Sequence, residues 1–163
     1  MTRDEERAIE WDCQRIMRQY YDYVDHRDFD SAANLFTEDI DWFSHGVKLQ
    51  GRKELREGLQ AALGEGTIRH VLSNTVVNVI DDDNAELNEY HTLYYVADAE
   101  FENVDGPLAF QGPDRVIDCY AELRRTPDGW RIAKRRAPII FRRNPDEPVR
   151  LETWGAKQGK IAE

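Results

Sequence analysis

The residues best suited to proton-transfer chemistry lie in two segments that are far apart in the chain. Residues 23–30 contain Asp25, and residues 68–74 contain His70. A carboxylate that orients a histidine can move protons near neutral pH, because it stabilises both the imidazole tautomer and its charged form. These residues predict a general acid–base site, provided that the fold brings them together. A structural interpretation stays open, in which Asp25 caps a turn and His70 hydrogen-bonds within a sheet.

The first half of the sequence predicts three helices and two short strands. Apolar residues recur at three- and four-residue spacing from Ile9 to Val24, which indicates a helix from about Asp4 to His26. Shorter elements follow in order: a helix capped by Asp28, strands at Ile40–Phe43 and Val47–Leu49, and a helix at Lys53–Leu63.

The second half predicts long β-strands joined by hairpin-sized connections. Such connections indicate antiparallel pairing. Alternation over residues 115–123 sends the odd positions, including Arg115 and Cys119, towards the interior. We therefore expect an α+β fold in which about three helices from the N-terminal half cover a curved antiparallel (mixed) sheet and enclose a cone-shaped pocket. The predicted strands are Thr67–Ile80, Ala85–Ala97, Leu108–Arg125 and Trp130–Arg143.

The composition predicts one domain that binds neither nucleic acid nor membranes. A chain of 163 residues, 40% of them hydrophobic, can bury one sizeable core. We assign residues 1–144 to that domain and residues 145–163 to a charged tail, whose Trp154 docks on the body or on a partner subunit. The formal net charge of −10 opposes contact with phosphate backbones and anionic lipid.

Cysteine and histidine usage favours a cytoplasmic protein without a metal or disulfides. There are only two cysteines, and the histidines lack the H-x-H or H-E-x-x-H spacing of metal ligands. The polar residues 1–6 lack an apolar targeting core, and no run in the chain approaches membrane-spanning length. His26 and His45 fall in predicted turns, where we expect them to be solvated.

Five short motifs, in this order, resemble the nuclear-transport-factor-two-like (cystatin-like cone) superfamily, and within it the SnoaL-like branch. The resemblance covers about residues 5–144. The motifs are Tyr20-Tyr21-x-x-x-Asp25-x-x-x-Phe29-Asp30, Leu35-Phe36-Thr37-x-Asp39-Ile40-x-Trp42, Gly51-Arg52-x-Glu54-Leu55, His70-x-x-x-Asn74 and Asp128-Gly129-Trp130-Arg131-Ile132-x-x-Arg135.

The resemblance implies roles for several individual residues. Scytalone dehydratase, bile-acid dehydratase and hexachlorocyclohexane dehydrochlorinase use an Asp–His pair whose places resemble Asp25 and His70. Trp42 and Arg135 resemble a pocket tryptophan and an arginine of the dehydrochlorinase. Tyr20 resembles a tyrosine of the bile-acid dehydratase. The chain departs from the dehydratases in having Ser44 instead of a tyrosine, and from scytalone dehydratase in having Ala97 instead of a second histidine.

These implications predict a lyase or isomerase that needs no cofactor and acts on a small, apolar, cyclic molecule. His70 would remove a proton from carbon beside an electron-withdrawing group, and Asp25 would stabilise the resulting imidazolium. Arg135 would stabilise developing negative charge, together with Tyr20 or Tyr21. The residues expected to contact substrate are Tyr20, Tyr21, Trp42, His91 and Cys119.

Two other functions stay open at this point. Arg69-His70-x-x-Ser73-Asn74 and Trp130-Arg131-Ile132-Ala133-x-Arg135-Arg136 also resemble the structural β-subunits of aromatic-ring-hydroxylating dioxygenases. A non-catalytic module that binds a small molecule is the other possibility. We also expect a homo-oligomer, a dimer or trimer, formed through the second face of the sheet. Apolar residues predicted on that face are Val71, Val77 and Val116.

Overall fold

The computed structural model describes residues 1–97, 106–109 and 112–161. Within these residues, helices pack over one face of a curved sheet in an α+β arrangement, which confirms the expected fold class. The helices are α1 (Arg3–Asp25), α2 (Phe29–Asn34), α3 (Gly51–Leu63) and α4 (Arg150–Lys157). The strands are β1 (Phe36–Ser44), β2 (Val47–Gln50), β3 (Thr67–Val79), β4 (Asn84–Val96), β5 (Arg115–Thr126), β6 (Gly129–Ala137) and β7 (Ile139–Arg142).

Local sequence signals define the N-terminal ends of the first two helices. At the start of α1, Thr2 and Glu5 form a capping box, with the Glu5 amide 3.3 Å from the Thr2 hydroxyl and the Thr2 amide 2.6 Å from the Glu5 carboxylate. Asp28 caps α2 by accepting a hydrogen bond of 3.0 Å from the Ser31 amide, as predicted. The apolar stripe of α1 is buried against the sheet.

The sheet is mixed and open, with strand order β2-β1-β6-β5-β4-β3. Strands β1 and β6 pair in parallel, whereas the other neighbours are antiparallel. The strand predicted at Trp130–Arg143 is divided at Pro138, and β7 pairs with the beginning of β5. Proline lacks an amide proton, so it cannot continue the ladder of β6. The strand predicted at Leu108–Arg125 corresponds to β5, which begins at Arg115.

A β-bulge in β3 reverses the alternation expected for its second half. Asn74 has a left-handed backbone, with φ of 53°, and the pairing register with β4 shifts between Ser73 and Val76. As a result Val76 is 62% exposed, whereas Val77 packs against the core. The prediction that Val77 lies on the outer face is therefore wrong. The bulge also turns Thr75 towards the interior.

The tail contains helix α4, which packs on α3 and β2. Two glycines permit the close approach. A Cβ atom on Gly155 would lie 2.5 Å from a Val47 methyl group, and one on Gly58 would lie 2.6 Å from a Leu49 methyl group and 3.6 Å from the Trp154 ring. The three helices of the N-terminal half are thus joined by a fourth, and α4 forms part of the wall around the interior.

The outer face of the sheet carries a mainly apolar row across four strands. Val71 of β3 pairs with Thr92 of β4, Thr92 pairs with Val116 of β5, and Val116 pairs with Phe141 of β7. Val71 is 50% exposed and Phe141 is 68% exposed. This row is the surface that the expected self-association would use. Among the described residues, no helix is both long and apolar enough to cross a membrane.

Candidate active site

The end of α1 is fastened to the beginning of β3, which brings the two predicted chemical segments together. Arg27, just beyond α1, has a left-handed backbone with φ of 63°. Its guanidinium donates to the carbonyls of Gly64 and Gly66 at 2.6 and 2.5 Å. Arg69 in β3 donates to the Asp25 carbonyl at 3.3 Å. These bonds hold the last residue of α1 beside the strand that carries His70.

Asp25 binds His70 through both carboxylate oxygens. Oδ1 lies 2.5 Å from His70 Nδ1, and Oδ2 accepts the His70 backbone amide at 2.9 Å. The side chains are only 8% exposed for His70 and 10% exposed for Asp25. The bond from the backbone amide fixes the Asp25 carboxylate, and the carboxylate in turn orients the imidazole.

This geometry leaves His70 with a usable lone pair. A carboxylate accepts hydrogen bonds, so the proton of the neutral ring is on Nδ1 and the lone pair is on Nε2. Burial lowers the pKa of His70, and the hydrogen bond and charge of Asp25 partly oppose that effect. The imidazole is therefore neutral at pH 7 and can act as a base.

His70 borders an interior pocket with an empty volume of about 630 Å³, counted to its open mouth. Small-molecule sites are typically concave and mainly apolar, and this pocket has that character. Tyr20, Tyr21 and Trp42 also line the pocket. Most of the remaining wall is apolar, with contributions from Leu59, Leu63, Ile68, Leu93, Ile117 and Leu151.

His45 lines the pocket as well, contrary to the expectation that it is solvated. Its Nδ1 lies 2.6 Å from the Ser44 hydroxyl, and its Nε2 accepts from Arg115 at 3.0 Å. Ser44 in turn donates to the Ala137 carbonyl at 3.0 Å. Burial holds the pKa of His45 well below its usual value, and the Arg115 charge adds to that effect. The β1–β2 turn folds inward, which a turn-like sequence alone does not reveal.

Arg135 lies at the inner end of the pocket and is 4% exposed. Its guanidinium carbon is 5.4–5.7 Å from the ring centroids of Tyr20, Tyr21 and Trp42, so three aromatic rings surround the cation. Nη2 donates to the Tyr21 hydroxyl at 2.5 Å. Nε and Nη1 have no hydrogen-bond partner within the described residues. The cation supplies positive charge at the end of the pocket.

His91 and Cys119, predicted to contact substrate, lie behind the pocket wall. Both are 0% exposed. His91 Nδ1 lies 2.9 Å from the Tyr21 hydroxyl, and His91 Nε2 lies 2.9 Å from Glu89 Oε1. Tyr21 stands between these residues and the pocket, since its ring packs at 4.6 Å from His70 and 4.5 Å from His91, measured between centroids. Strand parity alone could not indicate this shielding.

One group in the described part of the chain has the spacing to hold a metal ion. Ligand atoms of Glu89, His91 and Cys119 lie within 4.8 Å of one another. Both His91 nitrogens already have partners, and the Arg135 cation acts electrostatically on the Cys119 thiol. A nearby cation opposes a dication, so this group is better suited to hydrogen bonding than to metal binding.

Other aromatic residues of the predicted strands lie in different places. Tyr95 lines the pocket, and its hydroxyl donates to the Leu63 carbonyl at 3.0 Å. Phe43 borders a separate surface groove, and Tyr94 is half-buried outside the pocket wall. The position of Phe110 is outside the described residues.

The whole-chain comparisons agree with this architecture. Residues 5–136 match the model of the SnoaL-like domain. This chain belongs to the SnoaL-like family. No curated protein matches it.

Solved structures similar to this SnoaL-like protein share its fold. A variant of Rv3472, a protein of unknown function from Mycobacterium tuberculosis, has a TM-score of 0.75 and 21% identity, covering 98% of this chain and 94% of its own. A candidate scytalone dehydratase from Novosphingobium aromaticivorans has a TM-score of 0.72 and 14% identity, covering 91% and 95%. A protein with a cystatin-like fold from Nostoc punctiforme has a TM-score of 0.66 and 18% identity, covering 85% and 92%.

Proposed function

We propose that this SnoaL-like protein is a cofactor-independent lyase or isomerase that acts on a small, largely apolar, cyclic substrate. The observation that supports this proposal is the 2.5 Å contact between Asp25 and His70 at the edge of an apolar pocket. A neutral imidazole held in one tautomer is suited to removing a proton from carbon.

In the proposed reaction, His70 Nε2 takes a proton from a carbon next to an electron-withdrawing group. The electron pair of the broken C–H bond forms a new double bond, and the substrate either loses a leaving group or receives a proton at another carbon. Asp25 stabilises the imidazolium that results. Arg135 stabilises negative charge that develops on the substrate or the leaving group, because its cation is buried in a site of low polarity.

Ser44 limits the ways in which water could be eliminated. Its only hydroxyl proton is donated to the Ala137 carbonyl, so Ser44 has no proton to give to a leaving group. Tyr20 of α1 also carries a hydroxyl and lines the pocket, whereas the Tyr21 hydroxyl lies 2.9 Å from His91 Nδ1. Acid assistance in a dehydration would therefore come from α1 rather than from β1.

The proposal can be tested without knowing the natural substrate. Proton removal from carbon exchanges hydrogen for deuterium in D₂O, and NMR can follow that exchange in a panel of cyclic ketones and cyclic β-hydroxyketones. We expect Asp25→Asn and His70→Ala each to slow the exchange by about 100-fold or more, while circular dichroism shows an unchanged fold. Exchange at the wild-type rate in either folded variant would remove the pair from the mechanism.

A matched control is His26→Ala, which removes an exposed histidine one residue beyond α1. The His26 side chain is 56% exposed and is not part of the pocket lining. We expect this variant to retain the wild-type exchange rate. If wild type binds the ketones but catalyses no exchange with any of them, the results favour a binding module over an enzyme.

A further inference from the structure

Four polar side chains form a hydrogen-bonded chain that leads from the pocket wall into the protein. Thr75 donates to Glu89 Oε2 at 3.1 Å, and Glu89 Oε1 faces His91 Nε2 at 2.9 Å. The Tyr21 hydroxyl lies 2.9 Å from His91 Nδ1. Glu89 is 2% exposed and His91 is 0% exposed, so no bulk water competes for these bonds. The bulge at Asn74 is what turns Thr75 towards Glu89.

The direction of each bond follows from the carboxylate. Glu89 only accepts, so His91 carries its proton on Nε2 and keeps a lone pair on Nδ1. Tyr21 must then donate its own proton to His91 Nδ1. The carboxylate, imidazole and hydroxyl follow one another in space in the same order as in a catalytic triad, with a phenol as the terminal group.

Of the four hydrogen-bonded residues, Tyr21 alone lines the pocket. A phenol oxygen has two lone pairs, and one of them accepts from Arg135 Nη2 at 2.5 Å. With its proton directed at His91, Tyr21 offers the remaining lone pair to a ligand. The inner end of the pocket therefore presents a hydrogen-bond acceptor beside a cation, an arrangement suited to an acidic hydroxyl group.

We propose that Tyr21, His91 and Glu89 form a proton relay that accepts the proton of a substrate hydroxyl of the phenol or enol class. The relay is distinct from the pair formed by Asp25 and His70, although both border the same ligand. This inference rests on the proposed function only in assigning the pocket to a substrate, and it narrows that substrate to one with an acidic hydroxyl.

The step balances without any redox partner. The O–H bond of the ligand breaks, and its electron pair stays on the ligand oxygen. The released proton bonds to Tyr21 Oη while the original Tyr21 proton moves to His91 Nδ1. Positive and negative charges then alternate along the site: Arg135, the ligand oxyanion, the His91 imidazolium and the Glu89 carboxylate.

The surroundings of His91 keep its ring unprotonated before the ligand binds, so that Nδ1 can accept a proton. Burial lowers the pKa of His91 to about 4, and the hydrogen bond of Glu89 partly opposes that shift. The imidazole is therefore neutral at pH 7, with Nδ1 available. The other groups that face it are Tyr21 from α1, Arg135 from β6 and His70 from β3. An oxyanion at the pocket end would offset the repulsion from Arg135.

The test uses p-nitrophenol as the probe, because its phenolate absorbs visible light and its neutral form does not. At a pH about one unit below its pKa in solution, we expect the wild-type protein to bind it as phenolate. Calorimetry in two buffers of different ionisation enthalpy counts the protons released on binding. The relay keeps the proton, so we expect close to none, whereas ionisation by Arg135 alone would release about one proton per ligand.

Substitutions show which side chains the ionisation of p-nitrophenol depends on. Glu89→Gln keeps an acceptor for His91 but removes the charge, and Tyr21→Phe removes the phenol oxygen. We expect either change to lower the ratio of bound phenolate to bound phenol by about tenfold or more. The matched control is Glu86→Gln, at an outer-face position of the same strand that accepts only from Tyr120 among the described hydrogen bonds. It should leave the ratio unchanged.

A measurement on the unmodified protein guards against variants that do not fold. In ¹⁵N NMR of histidine-labelled wild type, His91 should be neutral when the pocket is empty and protonated on both nitrogens when p-nitrophenol is bound. A neutral His91 in the complex, release of about one proton, or failure of the phenolate to bind would each overturn the proposal.

The outcomes also separate the relay from the proposed function. Hydrogen exchange reports on the pair formed by Asp25 and His70, and ionisation of p-nitrophenol reports on the relay, so each proposal has its own readout. Ionisation that depends on Glu89, in a protein that exchanges no ketone hydrogen, would support the relay and refute the lyase or isomerase. Ketone exchange without phenol ionisation would do the reverse.

Discussion

Burial of His91 predicts a loss of stability in mild acid that can be worked out from its pKa. The ordinary pKa of 6.5 applies to the unfolded chain, and burial lowers the folded value to about 4. Below pH 6.5 the unfolded state therefore binds more protons than the folded state. The contribution of His91 is complete above that pH and is lost as the pH falls towards 4. Between pH 7 and pH 5 the loss amounts to about 2 kcal/mol.

The perturbation that isolates this effect is His91→Gln, which keeps a polar side chain but removes the titrating ring. The free energy of unfolding would be measured by urea titration at pH 7, 6 and 5 for both proteins. Acidification should destabilise wild type by about 2 kcal/mol more than the variant. Titrating groups that do not contact His91 are the same in both proteins, so their contributions cancel in the difference.

The control is Asn88→Gln, a change at an exposed position of the same strand. It should show the same pH dependence as wild type. If wild type and His91→Gln lose stability in parallel between pH 7 and pH 5, His91 is not held neutral by burial, and the reasoning from the structure fails.

Three further predictions concern the pair, the core and the outer face. Asp25→Asn should lower the pKa of His70 further, measured by NMR titration, because the hydrogen bond and charge of Asp25 raise it; an unchanged or higher pKa would contradict the pairing. Gly58→Ala should lower the free energy of unfolding by about 1–3 kcal/mol, since its Cβ would lie 2.6 Å from Leu49, whereas Gln60→Ala on the exposed side of α3 should have little effect. Phe141→Glu should shift sedimentation towards the monomer, and a wild type that is monomeric at every concentration would refute self-association.

Much of the fold could be predicted from local sequence because the spacing of apolar residues indicates which positions are buried. The stripe from Ile9 to Val24 predicts α1, and the cap at Asp28 predicts the start of α2, without reference to distant residues. Alternation in β5 buries Ile117, as well as Cys119, for the same reason. The family resemblance added the order of elements.

Local sequence leaves undetermined, or predicts wrongly, the features that arise where one strand depends on another. Parallel pairing of β1 with β6 joins segments about 90 residues apart, and no local pattern specifies it. The division at Pro138 and the bulge at Asn74 change which strand is paired and which face is buried. The fourth helix was missed because α4 is only eight residues long and is stabilised by packing on α3 and β2.

The sequence by itself determined which side chains are available for chemistry, and the resemblance pointed to Asp25 and His70 among them. Only the tertiary structure decided their surroundings: a 2.5 Å contact across 45 residues, with His45 turned into the pocket and His91 shielded behind Tyr21. The physical reason is that a side chain acquires its protonation state from burial and from its partners. Those partners come from other helices and strands, and only the folded chain brings them together.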